Sequence, residues 1–339
     1  MQTPAVLIAF RRPGVTQRNL DELRQVQPEQ LFVVADGPRP GRPEEARQCE
    51  QVRELIETID WPVKIEKKYA DRNLGLEANV ELGLDWVFSQ VDRAIVLEDD
   101  CIPDPSFFRF AEELLDRYQD EKRIWQIAGD THTVSASHYG DCSYGFSTWA
   151  SVWGWATWAD RWHDHRAEFN RDHAGAEDRV DETPRTADAV RTRVAVPHPD
   201  ALIHDGALRH FSFVASETDG DHYGWDHHWW VTIMSRQGLS IMPRVNLVEH
   251  DGYGEGATHT RAAKVPYPAE QMDFPLVHPP VVELNRGAEG ELELILLRHD
   301  GRLSRLARKV IKPLWMRAMI RRVIDIPIVS RILHRIAHK

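Results

Sequence analysis

Four short apolar runs alternate with amphipathic segments over the first 100 residues of the chain. The runs cover residues 5–10, 31–35, 63–65 and 94–97. Between them, residues 15–26, 43–59 and 76–91 carry apolar side chains at helical spacing. This order of strand and helix predicts an α/β protein with a mostly parallel sheet and helices on both faces. In such sheets, ligands bind beyond the carboxyl ends of the strands.

Acidic residues follow two of these predicted strands. Asp36 comes after the second, and Glu98, Asp99 and Asp100 come after the fourth. Three adjacent carboxylates repel one another unless a cation lies among them. Mg²⁺ or Mn²⁺ would supply that cation and keep coordination sites open for phosphates. The alternatives are a solvated acidic loop for the triplet and an ordinary turn residue for Asp36.

The helix predicted over residues 76–91 is preceded by Asn73, Leu74 and Gly75. Backbone amides at a helix N-terminus attract anions, so we expect Asn73 and Gly75 to lie near a phosphate group. An ordinary helix cap is the alternative, and the segment can serve both roles.

A further acid lies among aromatic residues in the segment GWDHHWW, residues 224–230, which begins a predicted helix. Asp226 could act as a general base in an aromatic pocket. An aspartate favoured by the helix dipole is the alternative. His227 and His228 diverge by roughly 100° around a helix, so the pair is a weak metal signal.

The segment from His250 to His259 is rich in glycine and predicts a loop that could close over a ligand. Either histidine could bind a metal. The spacing G-x-G-x-G differs from the G-x-G-x-x-G of dinucleotide-binding loops, and the sequence contains no P-loop.

Charge is divided unevenly along the chain. Residues 298–339 carry twelve Lys or Arg and two acids, although the whole chain has a net charge of -11. The acidic body argues against a nucleic-acid surface. In the tail, apolar residues recur at helical spacing with basic residues opposite, which favours binding to an anionic membrane surface. Packing on the body or on a partner protein is the alternative.

The cysteines and the N-terminus indicate the compartment. Three widely spaced cysteines argue against a disulfide framework, and the start of the chain lacks a signal-peptide pattern. No run of about 18 apolar residues predicts a membrane-spanning helix. We therefore expect a cytoplasmic protein that is peripheral on the inner face of the membrane.

The middle of the chain has no clear period. Tryptophans cluster between Trp149 and Trp162, and residues 163–205 are polar, which predicts an irregular insertion. Residues 267–280 are rich in proline and predict a linker. We expect a main domain at 1–265, a linker and connecting segment at 266–297, and the basic helical tail at 298–339.

Several pieces of the sequence occur in an order that resembles a known family. They are PAVLIAFRRP, VVADGPR, RNLG, IVLEDDCIPDPSFFRF, SVWGWATW, GWDHHWW and GYGEGATHT, and they cover about residues 4–260. Together they resemble the GT-A fold of nucleotide-sugar glycosyltransferases, and more specifically the bacterial hemolysin-like HlpA group. The alpha-mannoside N-acetylglucosaminyltransferases are more distantly similar. The LEDD and GWATW pieces are specific, whereas the others are weak alone.

The resemblance implies a GT-A mixed, mostly parallel sheet and an inverting transfer from a nucleoside-diphosphate sugar, expected to be a UDP-sugar, to a hydroxyl acceptor. It assigns Asp100 to Mn²⁺ or Mg²⁺ and Asp99 to the ribose or a metal-bound water. Glu98 would support the ribose or the sugar. Asp226 matches the base that deprotonates the acceptor hydroxyl.

The resemblance also implies contacts around the nucleotide. Asp36 would face the base, Arg12 would lie near the nucleotide, and Trp155 is expected among the nucleotide-sugar contacts. His259 is expected at the diphosphate or the metal, with His250 as the second choice. The basic tail and the adjacent histidines of the aspartate-bearing helix depart from the family pattern.

Two other interpretations remain open. A sugar-phosphate nucleotidyltransferase shares the fold plan but normally has a glycine-rich basic loop after the first strand, where this chain has RRPG, residues 11–14. A non-catalytic, membrane-tethered carbohydrate-binding protein would suit the tryptophan cluster. A lipid or membrane-proximal glycan as acceptor is a hypothesis that rests on the tail alone.

Overall fold

The computed structural model describes residues 1–172, 224–251 and 267–296. Most of them belong to one compact unit, Met1–Thr183 with Tyr223–Glu289. A second unit, Pro184–His222 with Gly290–Lys339, is described only over residues 290–296. The predicted basic tail lies outside the described residues, so its helical structure and the three domain boundaries stay predictions.

The described ranges contain seven α-helices and ten strands. The helices are α1 (Pro13–Val26), α2 (Pro43–Glu57), α3 (Leu76–Phe88), α4 (Pro105–Arg117), α5 (Ala159–Asp172), α6 (Trp225–Ser235) and α7 (Arg286–Leu296). The strands are β1 (Ala5–Ala9), β2 (Gln30–Ala35), β3 (Lys64–Tyr69), β4 (Arg93–Glu98), β5 (Cys101–Pro103), β6 (Ile124–Ala128), β7 (Tyr144–Ser147), β8 (Trp155–Trp158), β9 (Leu239–Pro243) and β10 (Val248–His250).

An eight-stranded sheet crosses the compact unit in the order β3-β2-β1-β4-β8-β6-β9-β7. Only β8 and β7 run against the direction of the other strands. A separate antiparallel pair joins β5 to β10. The predicted α/β class with a mixed, mostly parallel sheet flanked by helices, as in a GT-A fold, is therefore confirmed.

Apolar cores cover both faces of the sheet. Alternate residues of β1 point to opposite faces, with Leu7 in one cluster and Ile8 in the other. The Leu7 cluster contains apolar side chains of α1, α2 and α4. The Ile8 cluster contains those of α3 and α6, together with Trp155 and Trp162. Because helices cover both faces of the sheet, a ligand has access to it at the ends of the strands.

The prediction of an irregular insertion over residues 163–205 is wrong for residues 163–172, and the rest of that segment lies outside the described residues. Residues 163–172 continue the helix α5, which starts directly after β8. The strand β8 is buried throughout and pairs with β4 and β6. Its four residues, WATW, form neither a continuous apolar run nor a polar–apolar alternation, so the sequence pattern did not reveal it.

The proline-rich segment predicted as a linker packs on the compact unit. Met272 and Leu276 are buried in the core on the Leu7 face. The Met272 amide donates a hydrogen bond to Ser106 Oγ at 2.8 Å, and the Val277 amide donates one to Ser143 Oγ at 3.0 Å.

No helix of the described ranges is long and apolar enough to cross a membrane.

Two glycines let three chain segments meet at one edge of the sheet. Gly129 follows β6, Gly154 precedes β8, and the Gly129 amide donates to the Gly154 carbonyl at 2.7 Å. A Cβ on Gly129 would lie 2.5 Å from Val248 Cγ2 of β10, and one on Gly154 would lie 2.7 Å from the same atom. Gly154 also has a φ of +69°, which favours glycine.

We expect Gly154→Ala to destabilise the fold by about 3 kcal/mol, since it adds a steric clash to a left-handed backbone. Gly41→Ala is the matched control, because Gly41 also has a positive φ, +73°, but a Cβ there would meet no heavy atom within 4 Å. It should cost only about 1 kcal/mol. Urea denaturation measures both, and equal losses would contradict the packing role of Gly154.

Candidate functional site

The carboxyl ends of β1, β2, β4 and β6 lie at the same edge of the sheet, because these strands run in one direction. This edge brings together residues that are far apart in sequence. The acidic turn Glu98–Asp99–Asp100 follows β4, and the buried Asn19 of α1 fixes its backbone. Asn19 Nδ2 donates to the carbonyl oxygens of Glu98, Asp99 and Cys101 at 3.1, 3.2 and 2.9 Å.

A cation from the chain itself lies against the acidic turn. Arg12 Nη2 is 3.0 Å from Asp100 Oδ2 and also contacts Asp99 Oδ1. Burial tends to lower the pKa of Arg12, but these two carboxylates raise it above its ordinary value. The predicted need for a positive charge among the carboxylates is therefore partly met by Arg12, which the resemblance had assigned to the nucleotide.

The pKa values of Glu98 and Asp99 in this turn are both raised. Burial raises the pKa of Glu98 well above its ordinary value, and the charges of Asp100, Asp226 and Asp99 raise it further. Burial also raises the pKa of Asp99, although Arg12 opposes this shift. The charge of Asp226 at the start of α6 thus reaches Glu98, and a single site formed by the two residues stays a prediction.

His250 approaches Asp100 from β10. Its Nε2 lies 3.6 Å from Asp100 Oδ2, and the Asp251 amide donates to the Asp100 carbonyl at 2.8 Å. Burial lowers the pKa of His250 against the opposing charges of Asp100 and Asp130, which favours the neutral imidazole that binds metals.

The residues around Asp100 fit a divalent ion of the Mn²⁺ or Mg²⁺ type. Such ions are commonly held by one or two carboxylates and complete their shell with water and substrate phosphate. Asp100 and His250 offer an oxygen and a nitrogen donor side by side. Across residues 1–172, 224–251 and 267–296, no group of three or more His, Cys, Asp or Glu is arranged around a metal position. The predicted ligand His259 lies outside the described residues.

Asp36, in the loop after β2, is held mainly by donors of the loop before α3. Its Oδ1 accepts from the amides of Gly37 and Leu74, both at 2.8 Å. Its Oδ2 accepts from Asn73 Nδ2 at 2.8 Å and from the Gly75 amide at 3.1 Å. Burial raises its pKa, while these backbone hydrogen bonds oppose the shift.

Asp36 is thus the anion at the N-terminus of α3 in this structure. Of the groups predicted to lie near a phosphate, the Asn73 side chain and the Gly75 amide donate to this carboxylate, and each carboxylate oxygen accepts two hydrogen bonds. Asp36 therefore shapes the loop at the end of β2. Its predicted contact with a nucleobase, and a phosphate at Asn73 and Gly75, stay predictions.

Asp226 stands in the first turn of α6 with a side chain 42% exposed. His227 Nδ1 lies 3.2 Å from its Oδ1. Burial tends to raise the pKa of Asp226, but the neighbouring His227 lowers it below its ordinary value. In return, Asp226 raises the pKa of His227 against the effect of burial. The pair therefore favours an ionised carboxylate at the mouth of the site.

Tryptophans fix α6 on the sheet. Trp229 Nε1 donates to Gln126 Oε1 at 2.6 Å, and Trp230 Nε1 donates to the Thr148 carbonyl at 3.0 Å. Trp155 is fully buried and lies 5.4 Å from Trp229 between ring centroids. Its indole therefore packs in the core of the described unit, and its expected place among the nucleotide-sugar contacts stays a prediction.

Three residues of this edge were missed in the sequence. Asp130 follows β6, His132 contacts it, and Trp153 precedes Gly154. The ring of Trp153 stacks on His250 at 4.3 Å and lies 5.2 Å from the ring of His132. The rule that singled out Asp36, an acid that follows a buried strand, applies to Asp130 as well, so the sequence did contain a signal for Asp130.

Comparisons with known proteins identify no family for this chain. No protein-family model matches it, and no curated protein does either. Solved structures of similar fold include a mannosyltransferase from Pyrobaculum calidifontis in complex with GDP-Man and Mn²⁺, with 10% identity, a TM-score of 0.35, and coverage of 69% of this chain and 73% of that one.

Two further solved structures are also similar to this chain. Mouse xyloside xylosyltransferase 1 has 10% identity and a TM-score of 0.34, over 71% of this chain and 85% of that one. The 4-diphosphocytidyl-2C-methyl-D-erythritol synthase from Anaerococcus prevotii has 10% identity and a TM-score of 0.31, over 50% of this chain and 77% of that one. At these values the likenesses carry no argument about the activity of this chain.

We expect Asp36→Asn to lower the free energy of unfolding by about 1–3 kcal/mol, because an amide group would then face backbone donors. Asp71→Asn, at an exposed position of the loop that contains Asn73 and Gly75, should have little effect. Urea denaturation gives the two values. Faster hydrogen exchange at the amides of Leu74 and Gly75 in the Asp36 variant would locate the loss, and unchanged exchange would contradict the assigned role.

Proposed function

We propose that this chain is a metal-dependent, inverting glycosyltransferase of the hemolysin-like HlpA type, which uses a nucleoside-diphosphate sugar and most readily a UDP-sugar. One observation carries the proposal. At the end of β4, Arg12 Nη2 and His250 Nε2 lie 3.0 and 3.6 Å from Asp100 Oδ2, and the charge of Asp226 at the start of α6 raises the pKa of Glu98. A donor-side acid cluster and a separate ionised carboxylate are the two halves that an inverting transfer needs.

On the donor side, Asp100 and His250 would hold the divalent ion. When bound, that ion supplies positive charge for the departing diphosphate. Arg12 lies 3.0 Å from Asp100 and can add a second positive charge at the same place. Glu98 can form a hydrogen bond with a hydroxyl of the sugar or the ribose.

On the acceptor side, Asp226 would accept the proton of the attacking hydroxyl. Its partner His227 keeps it ionised, and the hydrogen-bonded tryptophans of α6 keep its helix in place. Attack from the side opposite the diphosphate would invert the anomeric carbon in one displacement. This scheme needs no acid at the leaving group, unlike hydrolysis by a pair of carboxylates.

The acceptor is proposed to be a hydroxyl of a lipid or of a membrane-proximal glycan. This proposal and the peripheral position on the inner face of a membrane rest on the basic sequence of residues 298–339, whereas the proposed cytoplasmic location rests on the cysteines and the N-terminal sequence. That segment lies outside the described residues.

A thermal-shift screen of nucleoside diphosphates with and without Mn²⁺ tests the donor half. Ligand at one hundred times its dissociation constant stabilises a protein by about 2.7 kcal/mol. We expect a selective, Mn²⁺-dependent response to UDP that Asp100→Ala abolishes and Asp226→Asn retains. Both variants should lower sugar transfer at least about 100-fold.

Asp92→Ala, at an exposed position before β4, is the control for these variants and should behave as the wild type. A response to nucleoside triphosphates in place of diphosphates would favour a nucleotidyltransferase. Full transfer by the Asp100 and Asp226 variants would exclude the proposed mechanism.

The pair of Asp226 and His227 predicts a pH effect. Protonated His227 lowers the pKa of Asp226, so the base form persists to lower pH. His227→Gln removes this effect, and the acid limb of kcat/KM should move to higher pH. His227→Arg keeps a cation and should leave the limb near its wild-type position. A limb that stays in place in both variants would show that Asp226 does not govern it.

A further inference from the structure

Asp130 is a fully buried carboxylate at the carboxyl end of β6 that the proposed mechanism does not use. The Ser151 hydroxyl donates to its Oδ1. Its Oδ2 lies 3.2 Å from His132 Nδ1 and also accepts from the His132 backbone amide at 3.2 Å. A buried carboxylate so placed fixes both the position and the orientation of the imidazole.

The loop that carries His132 adopts a conformation that side-chain-bearing residues avoid. His132 has a φ of +48° and Thr133 a φ of +67°, which is unusual for any residue with a Cβ and a clear outlier for a β-branched one. Tyr267 holds the loop from outside, because its hydroxyl accepts from the Thr133 amide at 2.9 Å and contacts Thr131 Oγ1. Backbone strain that the surrounding structure maintains is common where a side chain must be oriented toward a ligand.

The pair of Asp130 and His132 lies at the same edge as the donor site. Trp153 connects the two, since its ring stacks at 4.3 Å on His250, which neighbours Asp100, and lies 5.2 Å from the His132 ring. The charge of Asp130 also reaches His250.

The position of β6 in the sheet decides which half of the reaction His132 can serve. The donor-side residues follow β1 and β4, whereas β6 lies beyond β8 on the other side of β4. Two strand spacings separate the ends of β4 and β6 by about 10 Å. His132 therefore lies beyond the acidic turn, on the side away from β1 and β2.

We propose that His132, oriented by Asp130, binds a hydroxyl group of the acceptor sugar; the inference rests on the proposed glycosyl transfer. A proton on Nδ1 that is donated to Asp130 leaves a lone pair on Nε2, which accepts a hydrogen bond from a hydroxyl. His132 thus positions the acceptor through one hydroxyl, while Asp226 takes the proton from the attacking one. Asp130 is a positioning residue that acts through His132.

The kinetic test compares His132→Gln with wild type and with His163→Gln, which lies at an exposed position of α5. Acceptors are p-nitrophenyl glycosides of glucose, galactose, mannose and N-acetylglucosamine, and donors are the corresponding UDP-sugars. We expect a roughly 10-fold higher acceptor KM for His132→Gln, with donor KM and acceptor-free donor hydrolysis unchanged within about twofold. Asp130→Asn should change the acceptor KM in the same direction, and His163→Gln should change nothing.

The outcomes separate this inference from the function on which it rests. If wild type releases no UDP from any donor, the proposed function fails and the inference fails with it. If wild type is active and His132→Gln keeps its acceptor KM, or raises the donor KM equally, only the inference is overturned.

A measurement without substrate completes the test. Long-range ¹H–¹⁵N NMR, with His132→Gln as the reference for assignment, reports which ring nitrogen carries the proton. A proton on Nδ1 supports the pair with Asp130, and a neutral ring protonated on Nε2 overturns it.

Discussion

Three carboxylates lie close together at the end of β4, and the positive charge of Arg12 offsets their mutual repulsion. Burying like charges is costly unless an opposite charge lies within hydrogen-bonding distance. Arg12 meets that condition, since it contacts both Asp99 and Asp100. Because Arg12 directly precedes α1, the same contact ties the start of that helix to the turn after β4. The acidic turn is thus held by one guanidinium group and by the side-chain amide of Asn19.

Much of the first half of the fold could be predicted from the sequence. The strands β1, β2 and β4 are continuous apolar runs between helices of clear period, which is what a buried parallel sheet requires. β3 was predicted too short, because its edge position allows Lys64, Glu66 and Lys67. β8 escaped prediction because four buried residues carry too little pattern to indicate a strand.

The location of the candidate site could be predicted from the sequence, but most contacts of its residues could not. The strand-end rule located Asp36 and the acidic turn, and the same rule applied to β6 would have located Asp130. That Asp36 binds the amides of Leu74 and Gly75 depends on a loop closure across 38 and 39 residues, which no local pattern encodes. The burial of Trp155 likewise depends on how α6 packs, and the sequence gives no sign of it.

The close approach at Gly129 and Gly154 also bears on engineering this edge. Backbone and β10 leave no space for a side chain at either glycine, so these positions offer no freedom for redesign. The neighbouring side chains Trp153, His132 and His250 meet ring to ring instead. A library that varies the aromatic residue 153 would alter the wall shared by both histidines while the backbone beneath it stays fixed, and selectivity could be retuned without moving the acidic turn.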